Sequence, residues 1–340
     1  MRRGVLDEGE LLDAKGRLCE GGYAFSQVKR YDRNAVKANK LRIKEWDYYS
    51  FCDDDCALAL TVADNSYMSL ASVSVLDFKR LRYVTKSTVG LLPKGKLGMP
   101  SDCTNGDVLH DRGGVTMRFT VNPDGSRKLS CSYKKFYGKT DFNCELDIVP
   151  ALGDNITVAV PFKKKKQFYY NTKMNCLKCD GRFEFGDITH SFSGAYGGLD
   201  WGRGVWPFKN KWYWLSLSCD VNGTPFGLNL GYGFGKPIAS ENVAFYAGKA
   251  NKLGEVKFDI PYTQDKPDYL KPWKIADDVG RLELIFYPMI DRTDKMHALW
   301  LMTDQHQVFG KFFGKVTLDD GTLVTVSDKI GFAECVKNRW

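Results

Sequence analysis

Short runs of alternating apolar and polar residues recur almost from end to end of the chain. Positions 41–51, 57–63, 67–78, 115–121, 129–133, 142–149 and 156–162 carry the two-residue period of a strand. The same period continues through 168–176, 182–185, 212–219, 226–234, 243–247, 255–260, 281–287, 297–303, 306–318 and 323–327. Turn-forming sequences separate many of these runs: Asn122-Pro123-Asp124-Gly125, Asp220-Val221-Asn222-Gly223 and Asp319-Asp320-Gly321. No segment shows a long helical period. The pattern predicts an all-β antiparallel protein with less than about one-tenth helix, against the usual third.

The runs divide near Lys163 into two sets of similar size, which predicts one β domain over 1–162 and a second over 163–340. Each set is large enough to close into a barrel or half-barrel of about eight strands, a size whose mouth holds one small ligand. Closure also removes the exposed edges that so many strands would otherwise present. The halves differ in chemistry. Seven of eight tryptophans and three of four histidines follow Lys163, so the site is expected mainly in the second half.

Four of those tryptophans, Trp201, Trp206, Trp212 and Trp214, fall within residues 198–214, together with Asp200, Arg203 and glycines 198, 202 and 204. Trp is rarely fully buried and carries an N–H that needs a partner, so this composition reads as a pocket wall or a rigid corner. Asp200 and Arg203 are expected to form a bidentate clamp holding it. Strand parity places Trp212 and Trp214 on one face with Ser216 and Ser218. If 212–219 pairs with 226–234, that face meets Gly227, Gly231 and Gly233, with Asn229 its one polar group. The bare glycines then leave room either for a ligand or for the indoles themselves.

Further along, His306 shares parity with Val308 and Phe312, and Glu334 with Ile330 and Phe332. A histidine on an apolar face is either a hydrogen-bonded core residue or a proton shuttle. A buried carboxyl needs a partner or takes up a proton. Glu241, just before the run at 243, adds a third titrating group. The expected catalytic set is His306, Glu334 and Glu241. The expected ligand-binding set is Asp200, Trp201, Arg203, Trp206, Trp212, Trp214, Asn229 and Trp340. Together they resemble a metal-free acid/base site.

Other chemistries fail specific tests. There is no G-x-S-x-G elbow and no H-E-x-x-H. Gly231-Tyr232-Gly233-Phe234-Gly235-Lys236 misses both phosphate-loop spacings and is not followed by a helix. Cys176-Leu177-Lys178-Cys179 lacks the second pair a zinc site needs. No cofactor and no metal are expected. Net charge is +8, and Lys163 to Lys166 read as a solvated turn, with no nucleic-acid-binding pattern beside them. The ten cysteines show no disulfide spacing, and the acidic start at Asp7-Glu8 interrupts any signal-peptide core. No apolar run is long enough for a transmembrane segment. The expected location is the cytoplasm; oligomeric state is not legible.

The run Asp200-Trp201-Gly202-Arg203-Gly204-x-Trp206-Pro207 resembles the signature of the bacterial domain-of-unknown-function family 2804. So do Leu11-Leu12-Asp13-Ala14-Lys15-Gly16-Arg17-Leu18, Lys44-Glu45-Trp46-Asp47-Tyr48-Tyr49, Gly227-Leu228-Asn229-Leu230-Gly231, Glu241-Asn242-x-Ala244-Phe245, His306-Gln307-x-Phe309-Gly310 and Gly331-Phe332-Ala333-Glu334. After Glu334 the pattern carries a further Glu and often His, where this chain has Cys335 and Val336. The resemblance implies two lipocalin-like halves, distantly similar in fold to carotenoid hydratases and tocopherol cyclases. It therefore implies a hydrophobic small molecule in an aromatic pocket, with cofactor-independent hydration, isomerisation or cyclisation. The alternatives are a non-catalytic carrier, or a glycan-binding module if Trp201, Trp206 and Trp212 face solvent.

Overall fold

The computed structural model describes residues 4–149, 153–235, 237–298 and 301–340. Two antiparallel sheets account for most of it, and no α-helix occurs among the described residues. The first sheet has twelve strands. Its main path runs Arg82–Leu91, Met68–Asp77, Cys56–Asp64, Ile43–Cys52, Ile188–Val205, Phe168–Phe185, Thr140–Val149, Arg127–Tyr137, Val115–Val121 and Val108–Arg112. Ile156–Pro161 and then Gly22–Ala24 add beside Phe168–Phe185. The second sheet has nine strands. Their order is Lys249–Lys252, Val243–Tyr246, Thr224–Tyr232, Lys209–Val221, Leu323–Arg339, Leu301–Thr317, Leu282–Ala298, Trp273–Asp277 and Val256–Asp259.

The first sheet curls into a nearly closed barrel. The strand at one end, Arg82–Leu91, reaches Arg127–Tyr137 near the other: Lys86 Nζ donates to the Lys134 carbonyl at 3.2 Å, and the Thr88 and Tyr133 hydroxyls lie 2.7 Å apart. Alternating side chains such as Phe142, Cys144, Leu146 and Ile148 fill its interior, while their neighbours face solvent. The second sheet is a half-barrel over Leu215, Leu217, Leu228, Leu230, Trp273, Phe286, Val308 and Phe312.

The two sheets pack face to face, and that contact explains strands buried on both sides. Cys56–Asp64 turns Leu58, Leu60 and Val62 into the barrel and Ala57 toward Trp214 and Phe309 of the second sheet. Its sequence is therefore almost continuously apolar.

The sheets change over at residues 206–208, whereas the division expected from sequence at 162/163 falls between two strands of the first sheet. The reason is that Phe168–Phe185 and Ile188–Val205 sit in the middle of the barrel, paired with Thr140–Val149 and Ile43–Cys52. Residues 188–205 form an eighteen-residue strand where the tryptophan and glycine content suggested a corner. The exposed lysines 163–166 make a turn, as anticipated, with Gln167 N–H bonded to the Lys164 carbonyl.

Candidate functional site in the seam between the sheets

The hairpin of Lys209–Val221 and Thr224–Tyr232 turns at Asn222 and Gly223, both at positive φ, 53° and 81°. That two-residue turn fixes the register. Trp214 lies opposite Gly231 and Ser216 opposite Asn229, so all four share the face that looks onto the first sheet. Trp214 Nε1 donates to Asn229 Oδ1 at 2.8 Å, and Asn229 Nδ2 donates to the Glu241 carbonyl at 3.0 Å. The space above Gly231 belongs to Glu241: a Cβ there would stand 2.0 Å from Glu241 Oε1. The bare glycine thus admits a carboxyl rather than a ring.

Glu334 lies opposite Trp214 on one side and Gln307 on the other. It is 4% exposed and accepts from Trp212 Nε1 at 2.8 Å and Gln307 Nε2 at 3.2 Å. Burial pushes its pKa up from 4.5 to about 7, against the partial relief of the Trp212 hydrogen bond and the charges of Lys173 and Arg292. Burial raises Glu241 as well, with the charge of Lys173 opposing.

The first sheet supplies the other wall. Lys173 and Asp200 are cross-strand partners, with Lys173 Nζ 2.9 Å from Asp200 Oδ2 and 3.7 Å above the centre of the Trp214 ring. Asn171 Nδ2 donates to Asp200 Oδ1 at 2.5 Å. Tyr48 stands 6.0 Å from Trp214, edge-on, and its hydroxyl accepts from Gln307 Nε2 at 3.2 Å. Between these walls lies a cavity of about 20 Å³, bounded by Tyr48, Lys173, Asp200, Trp214, Ser216, Asn229, Phe309 and Phe332. Such a volume holds one or two waters.

Asp200, Trp212, Trp214, Asn229, Glu241 and Glu334 are thus brought together from the expected set. Trp206 and Trp340 flank them, at 5.5 and 6.3 Å from Trp212. Three expected residues lie elsewhere. Trp201 is in the barrel core, edge-on to Tyr31 and Tyr170. Arg203 is also inside the barrel and fully buried: it pairs with Asp47 at 2.9 Å, donates twice to the Pro100 carbonyl, and covers the Trp201 ring. The expected Asp200–Arg203 clamp is therefore corrected to two separate pairs, because positions an odd number apart on a strand point to opposite faces. His306 is on the concave side of the half-barrel, stacked on Tyr269 at 4.0 Å with Nδ1 2.7 Å from Asp291 Oδ2. It is opposite Cys335 in register, so Glu334 points away from it. Buried Trp201 and Trp206 also remove the flat exposed shelf that glycan binding requires.

Sequence reading missed Lys173, Tyr48, Asn171, Gln307 and Arg292. The available signal was charge and polarity inside strands: Asn171-Thr172-Lys173 follows Phe168-Tyr169-Tyr170, and Tyr48 follows Lys44, Glu45 and Asp47, all buried. Among the described residues, no group of three or more His, Cys, Asp or Glu side chains is arranged to hold a metal ion. No described helix is long and apolar enough to cross a membrane.

A nearly closed antiparallel barrel packed on a half-barrel, with titrating groups enclosed between aromatic rings, defines a two-sheet β protein of the lipocalin-like class. The sequence matches the family described as "Domain of unknown function (DUF2804)" over residues 2–340, and the chain belongs to that family. Among solved structures it is similar to a protein of Nitrosomonas europaea provisionally designated AttH. That likeness has 13% identity and a TM-score of 0.55, covering 92% of this chain and 98% of that one. It is also similar to kievitone hydratase from Nectria haematococca, at 13% identity and a TM-score of 0.54, covering 87% of this chain and 88% of that one. At this identity both likenesses concern the fold. No curated protein matches the sequence.

Proposed function

We propose that the seam, whose walls must part to admit more than the one or two waters its cavity now holds, is a cofactor-independent acid/base site for an apolar small molecule, catalysing hydration, isomerisation or cyclisation. The observation that carries this reading is Glu334, a buried carboxyl with a pKa near neutrality set among Trp212, Trp214 and Tyr48. A protonated Glu334 donates its proton to the substrate. The positive charge that develops lies against the Tyr48 and Phe332 rings that line the cavity, since the Trp214 face is taken by the Lys173 ammonium at 3.7 Å. Water or a nucleophile within the substrate then adds, and the resulting proton returns to the Glu334 carboxylate. Lys173 holds the Asp200 carboxyl in place. The kievitone hydratase likeness supports the reaction class by fold analogy alone. The ten free cysteines suit a reducing compartment, which supports a cytoplasmic location.

A carrier is the second reading, favoured by the hydrogen bonds that tie both Glu334 oxygens to Trp212 and Gln307. One experiment separates the two. The protein is incubated with a hydrophobic metabolite extract, and products are read by mass spectrometry for added water or for isomers. Wild type is expected to form product, and Glu334→Gln to lower the rate by about a hundredfold. A compound retained by wild type but never converted would establish the carrier.

A further inference from the structure

Lys44 lies on the seam face of Ile43–Cys52, two and four residues before Trp46 and Tyr48, and is 1% exposed. Its ammonium nitrogen has no hydrogen-bond acceptor. It stands 3.9 Å above the Tyr67 ring and 4.8 Å above the Trp340 ring. A buried charge without a counterion is costly, and aromatic faces offset only part of the loss. Burial and the like charge of Arg42 hold its pKa down at about 7.

Arg42 Nε and the Trp340 indole N–H are buried without acceptors too. The side-chain oxygens of Asn210 and Asn338, paired on the neighbouring strands, bond to none of these donors. This end of the seam therefore holds three unpaired donors against two unpaired amide oxygens and, among the described residues, no carboxylate paired to the Lys44 ammonium. It also runs on to the acid: the Trp340 ring is 6.3 Å from Trp212, whose N–H is bonded to Glu334.

We propose that Lys44 anchors the carboxylate of the substrate, whose apolar body lies along Trp340 and Trp212 toward Glu334. This rests on the acid/base reading above and names its substrate class. Lys44 and Tyr48 are four residues apart on a strand, which places anchor and reacting atoms about 13 Å from each other. The substrate is then a long-chain or polycyclic monocarboxylic acid, not a short one. Trp340 is half-buried and its ring stands over Lys44, so entry of the acid requires that ring to move aside.

Calorimetric titration of the full chain with dodecanoate and with dodecanol tests the anchor. Wild type is expected to bind the acid about tenfold tighter than the alcohol, the scale of one charge-assisted hydrogen bond. Lys44→Met should abolish that preference while leaving dodecanol binding unchanged. Its melting temperature should hold or rise, since an unpaired buried charge is removed, so the loss cannot come from unfolding. Equal binding of acid and alcohol by wild type overturns the proposal, as does a preference that survives in Lys44→Met. Glu334→Gln is expected to keep the preference, so failure of the catalytic reading and failure of the anchor give different results.

Discussion

Glu334 gains proton affinity as the chain folds, and this makes stability depend on pH in a direction opposite to most carboxylates. Its folded pKa, about 7, lies above the ordinary 4.5, so between those values the native state binds a proton that the unfolded chain lacks. Stability contributed by the neutral carboxyl is intact below about pH 4.5 and declines as pH rises toward 7, by roughly 3 kcal/mol in all. Glu334→Gln is neutral at every pH. Relative to wild type it should gain stability between pH 5 and pH 8 by about that amount, read from thermal melts at both. An unchanged difference would mean that Glu334 stays ionised in the fold. The identity of this residue as an inward carboxyl was legible from parity with Ile330 and Phe332. Its partners were not, because pairing with Gln307 and Trp214 depends on register, which parity within one strand does not carry. The same gap misassigned His306, whereas the Asp200–Arg203 pairing failed because the composition of 198–204 suggests a corner; the segment is a strand, and strand parity separates the two residues.

At the level of elements, the hairpin around Asn222-Gly223 was readable because the turn dictates its own register. The strand Ile188–Val205 was not. Both of its faces are buried in its second half, and glycines replace the expected alternation where neighbours press on the backbone. Gly202 shows why: it is opposite Trp46, and a Cβ there would lie 2.1 Å from the indole carbons Cε2 and Cζ2. Trp46 uses that space to stack on Tyr169 at 5.8 Å. Gly202→Ala should therefore displace the indole and destabilise the protein by about 1–3 kcal/mol, the usual range for an overpacked core. Thermal melting together with tryptophan fluorescence checks this. A variant with wild-type melting and spectrum would show that the sheet absorbs the methyl without moving Trp46.

For the molecule as a whole, the all-β class and the count of two β units were legible, and the unit boundary was not. Solvated Lys163 to Lys166 look like a linker, yet the chain returns through Phe168–Phe185 and Ile188–Val205 to complete the barrel. We propose the first folding unit as residues 1–206 and the second as 207–340. A fragment ending at residue 162 lacks the two central strands and is expected to be unfolded or insoluble. One ending at 206 should give a β-type circular dichroism spectrum and a cooperative melt. A folded, soluble 1–162 fragment would restore the earlier division.

The central place of these late strands also bears on how the protein is made. Ile43–Cys52 leaves the ribosome with one hydrogen-bonding edge that only Ile188–Val205 will cover. At about 5–20 residues per second, the interval between Cys52 and Ile188 lasts on the order of ten seconds. Throughout it, a nascent sheet presents an open edge to every other chain nearby. Hastening elongation across residues 53–187 would shorten the time at risk.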